Sequence, residues 1–409
     1  MSSSTPSTSG PARGSSRSSR LRRQLVEQLE ANGCLTSPAV RGAFLAVPRE
    51  RFLPDVAERE GLERVYENRV IVTARDERGI PSSSSSQPSM MASMLERLDL
   101  RPGLRVLEIG AGTGYNAALL AKIVGAGGRV VSVELDPATA RGARRGLASV
   151  ESKVRVVRGD GREGWPRGAP YDRIIVAASA PAVSRAWYDQ LAAGGLLELP
   201  LLLRRAGQTQ AVVTLCKREE ALVSEAVLYG GFMPLRDAPG AAVPSAPPSL
   251  GASERIDEQS RSLALLSGAA LGRLSRTRRQ RLLSLALSEP RTRALGVRAP
   301  RDALGFYLTI EAPEDRLVRG WPGVGVISAN GGGLAILAGG PKTLTRIESF
   351  GDAEAERLLL ELVEGWKQRR RPAVHDLRVE VSFGEEAASH VSLSWARQNA
   401  ARRSGRRPS

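Results

Sequence analysis

Apolar positions come in short clusters with two alternating periods over the middle of the chain. Val106, Leu107 and Ile109 read as a buried strand, and Asn116 to Val124 carries apolar residues at helical spacing. Arg129 to Val133 is a second strand, ending in Glu134, and Ala138 to Leu147 a helix. Val154 to Val157 and Tyr171 to Ala177 follow as strands, Pro181 to Leu191 as a helix and Leu196 to Pro200 as a fifth strand. Alternation of strand and helix predicts an α/β unit with a parallel sheet and helices on both faces. Gln210 to Cys216 and Glu225 to Tyr229 read as closing antiparallel strands.

Ahead of this unit, Arg20 to Glu30 is an amphipathic helix stopped by Gly33, and Ser37 caps a helix over Pro38 to Val47. Met90, Met91, Met94, Leu95 and Leu98 mark the buried face of a helix that opens near Pro88. Beyond the unit, Ser260 to Leu287 has helical spacing. Phe306 to Ile310, Val324 to Ile327, Leu334 to Leu337 and Leu377 to Val381 read as strands, with Gly331 to Gly333 a hairpin turn and Asp352 to Trp366 a helix. A smaller α+β domain is therefore expected after the first. Trp321 and Trp366 are assigned to core packing.

Composition divides the chain further. With 409 residues, two domains are the expectation. Residues 1–19 are Ser, Pro, Gly and Arg with almost nothing to bury, so a disordered arm is expected there. They lack the apolar core of a secretory signal. The boundaries read as an α/β domain over 20–236, a Pro/Ala-rich linker over 237–254, a C-terminal α+β domain over 255–396 and a basic tail over 397–409. The net charge of +16 sits largely in the ends: Arg13, Arg17, Arg20, Arg22 and Arg23, then Arg397, Arg402, Arg403, Arg406 and Arg407. Such groups contact nucleic acid or are simply solvated. No nucleic-acid-binding motif accompanies them, so solvation is the reading and no nucleic-acid partner is expected. Two cysteines, Cys34 and Cys216, and two histidines, His375 and His390, give neither metal spacing nor a disulfide framework. No run of about 18 apolar residues occurs, so no membrane span is expected. A cytoplasmic monomer is the default.

The candidate chemistry lies in Glu108-Ile-Gly-Ala-Gly-Thr-Gly114. Gly110, Gly112 and Gly114 follow a strand and open a helix, where backbone passes close to a ligand. Glu134, about 20 positions on, suits two ribose hydroxyls. The spacing is GxGxG rather than the GxGxxG of dinucleotide sites. Glu108 before the loop would repel a pyrophosphate but can face an ammonium group. A second candidate is Ile80-Pro-Ser-Ser-Ser-Ser-Ser-Gln-Pro88, a serine run leading into a helix start, where hydroxyls and amides can hold a carboxylate.

These motifs, in this order, resemble the protein-L-isoaspartate O-methyltransferase family of class I S-adenosylmethionine-dependent methyltransferases. Val47-Pro-Arg-Glu-Arg-Phe-Leu-Pro54 is similar to a stretch ahead of that family's cofactor domain. Ser86-Gln87-Pro88 matches the end of its substrate loop, with Ser84 at the family's Thr position. Glu-Ile-Gly-Ala-Gly-Thr-Gly resembles its first cofactor motif, and Gly231-Phe-Met-Pro-Leu235 the end of its catalytic domain. The C-terminal extension resembles variants from bacterial peptide-modification pathways. The resemblance implies a Rossmann-like class I methyltransferase sheet and S-adenosyl-L-methionine as cofactor. It implies cofactor contacts at Glu108, Gly110, Gly112, Gly114, Glu134, Asp160 and Gly161, with Ser179 to Pro181 lying over the cofactor. It implies Ser86 as the catalytic residue orienting a carboxylate, with Ser84 and Gln87 as substrate contacts. The implied partner is a peptide or protein bearing isoaspartate. The implied reaction is methyl transfer to the isoaspartyl α-carboxylate, after which the ester closes to a succinimide. Aspartate methylation in a ribosomally made peptide, held by the C-terminal domain, is the alternative, and a non-catalytic basic RNA-associated module a remoter one.

Overall fold

The computed structural model describes residues 13–77, 79, 81–205, 208–236, 266–320, 323–384 and 389–396. The linker over 237–254, the tail over 397–409 and Trp321 lie outside them. Two compact units divide the chain: 1–178, 184–199 and 216–220 form the first, and 179–183, 200–215 and 221–409 the second. The boundary expected at residue 237 is therefore not where the units part.

The first unit opens with helices α1 (Arg13–Ala31), α2 (Pro38–Ala46), α3 (Pro54–Glu60) and α4 (Leu62–Val65), with a 3-10 turn over Arg49–Phe52. Ser37 caps α2 by accepting from the Val40 N–H. Helix α1 starts inside the segment expected to be a disordered arm. Its extra turns are tied down by Arg17, paired with Glu63, and by Ser18, whose hydroxyl reaches Glu50 Oε1 at 2.5 Å. Glu50 also accepts from the Tyr66 hydroxyl, and burial together with this carboxylate pushes the Tyr66 phenol up to about 12.

Strands β1 (Ile71–Arg75) and β2 (Pro81–Ser85) form an antiparallel pair, with Val72 opposite Ser84. The serine run is thus mostly a strand, not a loop. Helix α5 (Pro88–Arg97) follows, burying Met91, Met94 and Leu95, whereas Met90 is only half-buried. Then come β3 (Arg105–Ile109), α6 (Tyr115–Val124), β4 (Arg129–Glu134), α7 (Pro137–Ala148), β5 (Arg155–Arg158), β6 (Tyr171–Val176), α8 (Arg185–Gln190) and β7 (Leu191–Arg204). Helix α8 is shorter than the Pro181 to Leu191 expected. It starts at its Ser184 cap, and Ser179 and Ala180 before it bridge to Pro234 and Leu201 in the second unit instead.

Strands β5, β4, β3, β6 and the start of β7 run parallel in that order. The order reverses at β3, between β4 and β6. In such sheets ligands bind beyond the carboxyl ends of the strands at this reversal, which is where the glycine loop stands. Val106, Leu107 and Ile109 of β3 and Leu119 and Leu120 of α6 are fully buried, so burial on both sheet faces fixes the loop between them.

In the second unit, β8 (Thr209–Lys217, through Leu215) and β9 (Ala221–Tyr229) are followed by β10 (Leu266–Ser267), α9 (Ala269–Gly272), α10 (Arg276–Ala286), β11 (Arg291–Pro300), α11 (Arg301–Glu311), β12 (Leu317–Gly320), β13 (Gly323–Ile327), β14 (Gly333–Gly339), β15 (Thr343–Gly351), α12 (Glu354–Gln368), β16 (Leu377–Phe383) and β17 (Ser389–Trp395). Six of these strands form one antiparallel sheet, in the order β10-β12-β13-β14-β15-β11. Phe306 to Ile310, expected as a strand, lies in α11, packed with α12 under that sheet beside the buried Trp366. The C-terminal segment is not self-contained. Strand β16 pairs with β9, and the Val379 N–H donates to Ser224 Oγ at 2.9 Å.

Candidate active site

The glycine loop is shaped by three left-handed turns: Gly110, Gly112 and Gly114 have φ of +90°, +51° and +87°. At Gly114 a Cβ would also stand 3.1 Å from the Ala143 carbonyl on α7, a tight contact at which the helix backbone would have to give by a few tenths of an ångström. At Gly112 a Cβ would stand 3.5 Å from the Ser84 carbonyl. The backbone of β2 thus lies against the glycine loop, and two stretches separated in sequence share one place.

Glu134 joins them. Its Oε2 accepts from the Gly112 N–H at 3.1 Å and its Oε1 from the Asp136 N–H at 3.0 Å, so the acid at the end of β4 grips the loop. A carboxylate has about four lone-pair positions, which leaves Glu134 room for two hydroxyl donors. The Gly159 N–H donates to the Glu134 carbonyl, placing Asp160 and Gly161 beside it. Asp160 caps the following 3-10 turn and is gripped by Arg162, whose guanidinium holds its carboxyl below the usual range. The buried Trp187 indole donates to the Gly161 carbonyl at 2.8 Å and fixes this corner.

Glu108 is different from expectation. It is fully buried, with Oε1 accepting from Asn116 Nδ2 at 2.8 Å and Oε2 from Ser132 Oγ at 2.5 Å. The parallel register sets Glu108 opposite Ser132. Its carboxylate therefore clamps α6 and β4 to β3 instead of facing a ligand's ammonium. Burial pushes its carboxyl up to about 7, against the two hydrogen bonds, and the nearby Glu134 adds to the rise.

On β2 the serines alternate. Ser83 and Ser85 are buried, bonded to Thr73 Oγ1 and Arg49 Nη2. Ser84 and Ser86 lie on the other, half-buried side. Among the described residues the Ser86 hydroxyl has no hydrogen-bond partner. Gln87 does not offer its side chain: its Nε2 donates to the Asn68 carbonyl at 3.2 Å, while Asn68 Oδ1 caps α5 through the Ser89 N–H. Asn68 and Arg49 were missed in the sequence. Arg49 stood in view in Val-Pro-Arg, but a lone arginine in a turn reads as surface, whereas it is fully buried.

A parallel sheet whose order reverses at a glycine loop, with an acid gripping that loop from the next strand, defines a Rossmann-like class I methyltransferase. The comparisons with known proteins agree. The family model for protein-L-isoaspartate(D-aspartate) O-methyltransferase matches residues 19–239. A protein-L-isoaspartate O-methyltransferase of Hyperthermus butylicus is 39% identical over 223 residues, covering 52% of this chain and 88% of that protein. One from Methanopyrus kandleri is 41% identical over 184 residues, covering 44% and 77%. A solved protein-L-isoaspartate O-methyltransferase matches with a TM-score of 0.51 at 27% identity, over 91% of this chain and 99% of its own. The chain belongs to the protein-L-isoaspartate(D-aspartate) O-methyltransferase family and is an S-adenosylmethionine-dependent protein carboxyl methyltransferase.

Proposed function

We propose that this chain methylates the α-carboxylate of L-isoaspartyl residues in peptides and proteins, with Ser86 orienting that carboxylate. The observation that carries the reading is the Ser84 carbonyl against Gly112, which sets the backbone of the serine strand beside the cofactor loop. The cofactor, when bound, supplies a methyl group on a sulfonium, ready for displacement. The residues present fit it unevenly. Glu134 has lone pairs for a ribose diol, and Gly110 and Gly112 leave the loop free of side chains. The Asp160 carboxylate would have to share its acceptors with Arg162, and Glu108 is sealed from any ligand.

The chain's own work is positional. A carboxylate is already ionised and nucleophilic near neutral pH, so no general base is required. Ser86 holds one carboxylate oxygen, and Ser84 lines the same side. The ester formed at the α-carboxylate loses methanol when the following backbone nitrogen attacks, which gives a succinimide without help from the protein. We read the site as complete in one chain, and the two unpaired cysteines, Cys34 and Cys216, support a reducing, cytoplasmic setting. Among the described residues no helix is long and apolar enough to cross a membrane.

Replacing Ser86 tests the assignment. Ser86→Ala is expected to lower kcat on an isoaspartyl peptide by on the order of 10²-fold, while leaving S-adenosylhomocysteine affinity unchanged. Unchanged kcat would remove Ser86 from the site, and loss of turnover in Ser84→Ala alone would move the role to Ser84.

A further inference from the structure

Among the described residues, Arg49 is buried without a counter-ion. It sits on the 3-10 turn over Arg49–Phe52, with none of its surface exposed. Its Nη2 donates to Ser85 Oγ at 3.0 Å and to the Ser86 carbonyl at 3.1 Å, both neutral acceptors. Nε and Nη1 are buried with no hydrogen-bond partner among the described residues. The neighbouring Glu50 gives its two oxygens to Ser18 and Tyr66 instead. The Tyr115 ring, 5.6 Å from the guanidinium carbon, is a partial compensation. A buried charge is costly unless an anion or strong dipoles answer it.

The geometry of one peptide bond says where the answer lies. Among the described residues the cis peptide is Ala169–Pro170, so Ser86–Gln87 is trans. In a trans peptide the carbonyl and the N–H point in opposite directions. With the Ser86 carbonyl fixed on Arg49, the Gln87 N–H points away from it. That peptide dipole is aligned by the charge behind it and presents its positive end on the far side.

We propose that Arg49 is a positioning residue that turns the Ser86–Gln87 end of the serine strand into a seat for the substrate's carboxylate. It fixes the Ser86 carbonyl, directs the Gln87 N–H toward the bound carboxylate, and lends that seat a positive charge that only an anionic substrate answers. This rests on the reading that Ser86 holds the carboxylate. It adds a reason for the enzyme to select an acid over a neutral group of the same shape, and places that selection in a residue that never touches the substrate.

The test compares an isoaspartyl peptide with the same peptide carrying its α-carboxyl as a primary amide. Binding of both to the full chain loaded with S-adenosylhomocysteine is measured by calorimetry. The wild type is expected to prefer the acid by about tenfold or more. Arg49→Met should bring that preference to within about twofold, with S-adenosylhomocysteine affinity retained. Arg49→Lys keeps the charge but not the fork, so it should retain the preference and lose about tenfold in kcat at similar KM. A wild type without acid preference overturns the proposal, whether or not Arg49→Met folds. So does Arg49→Met weakening both peptides equally, or Arg49→Lys with full kcat. Methylation of the isoaspartyl peptide by the wild type is read alongside. Its absence would sink the proposed function itself, whereas methylation without acid preference would sink the Arg49 role alone.

Discussion

Glu108 and Glu134 stand two positions apart in register on neighbouring strands and meet opposite fates. Glu134 keeps 7% of its surface and grips the loop, while Glu108 is sealed between Asn116 and Ser132. The sequence distinguishes an acid before the loop from one after it, but not whether a serine on the next strand lies opposite. Register decides that, and register is a long-range property. The burial has a pH consequence. Native Glu108 takes up its proton near pH 7, against an ordinary value near 4.5. Between these values the native state binds more protons than the unfolded one, so stability falls as pH rises through that window. The contribution is on the order of 3 kcal/mol, present below about pH 4.5 and lost above about pH 7. Urea unfolding of Glu108→Gln should therefore show a shallower loss of stability between pH 5 and 7 than the wild type. Parallel curves would mean that Glu108 is ionised throughout. The serine strand was legible in part: Ser84 and Ser86 share its open side, as a period of two requires. Arg49 was not, because nothing in a turn's sequence reports burial.

The glycine loop was the most legible element, since three positive φ values leave little choice but glycine. The reason for each glycine was not. Gly114 answers to α7, where Ala143 occupies the space, and Gly112 to β2 at ordinary contact distance. Gly114→Ala should accordingly destabilise by roughly 2–4 kcal/mol, from left-handed strain plus overpacking, and Gly112→Ala by only about 1–2 kcal/mol. Thermal or urea unfolding would order them, and equal losses would show that Ala143 yields. Helix α11 was the clearest misreading. Ala303 through Ile310 are all buried, so no polar face marks a helical period, and the run Phe-Tyr-Leu-Thr-Ile carries strand-favouring residues. Packing between the sheet and α12 overrode that propensity.

At the scale of the molecule, the parallel sheet was readable because, except at the step from β5 to β6, each strand neighbours its successor through a helix. The division after it was not. Ser224 and Val379 bond across 155 positions, a pairing with no local trace. The Pro/Ala-rich run after residue 236 suggested a clean cut, yet β9 on one side of it needs β16 on the other. A chain ending at residue 240 would leave β9 without that partner and uncover Leu222, which lies opposite Val381. It is expected to give little soluble protein, and a cooperative unfolding transition with normal S-adenosylhomocysteine binding would contradict this. The central claim concerns the whole enzyme and its substrate. Its most direct measurement is transfer of labelled methyl from S-adenosylmethionine to an isoaspartyl peptide and to its aspartyl isomer, side by side with the full chain. The account predicts base-labile methyl ester on the isoaspartyl peptide, with kcat/KM above that for the aspartyl peptide by about 10²-fold or more. Equal transfer to both peptides, or ester on the aspartyl peptide alone, would contradict it.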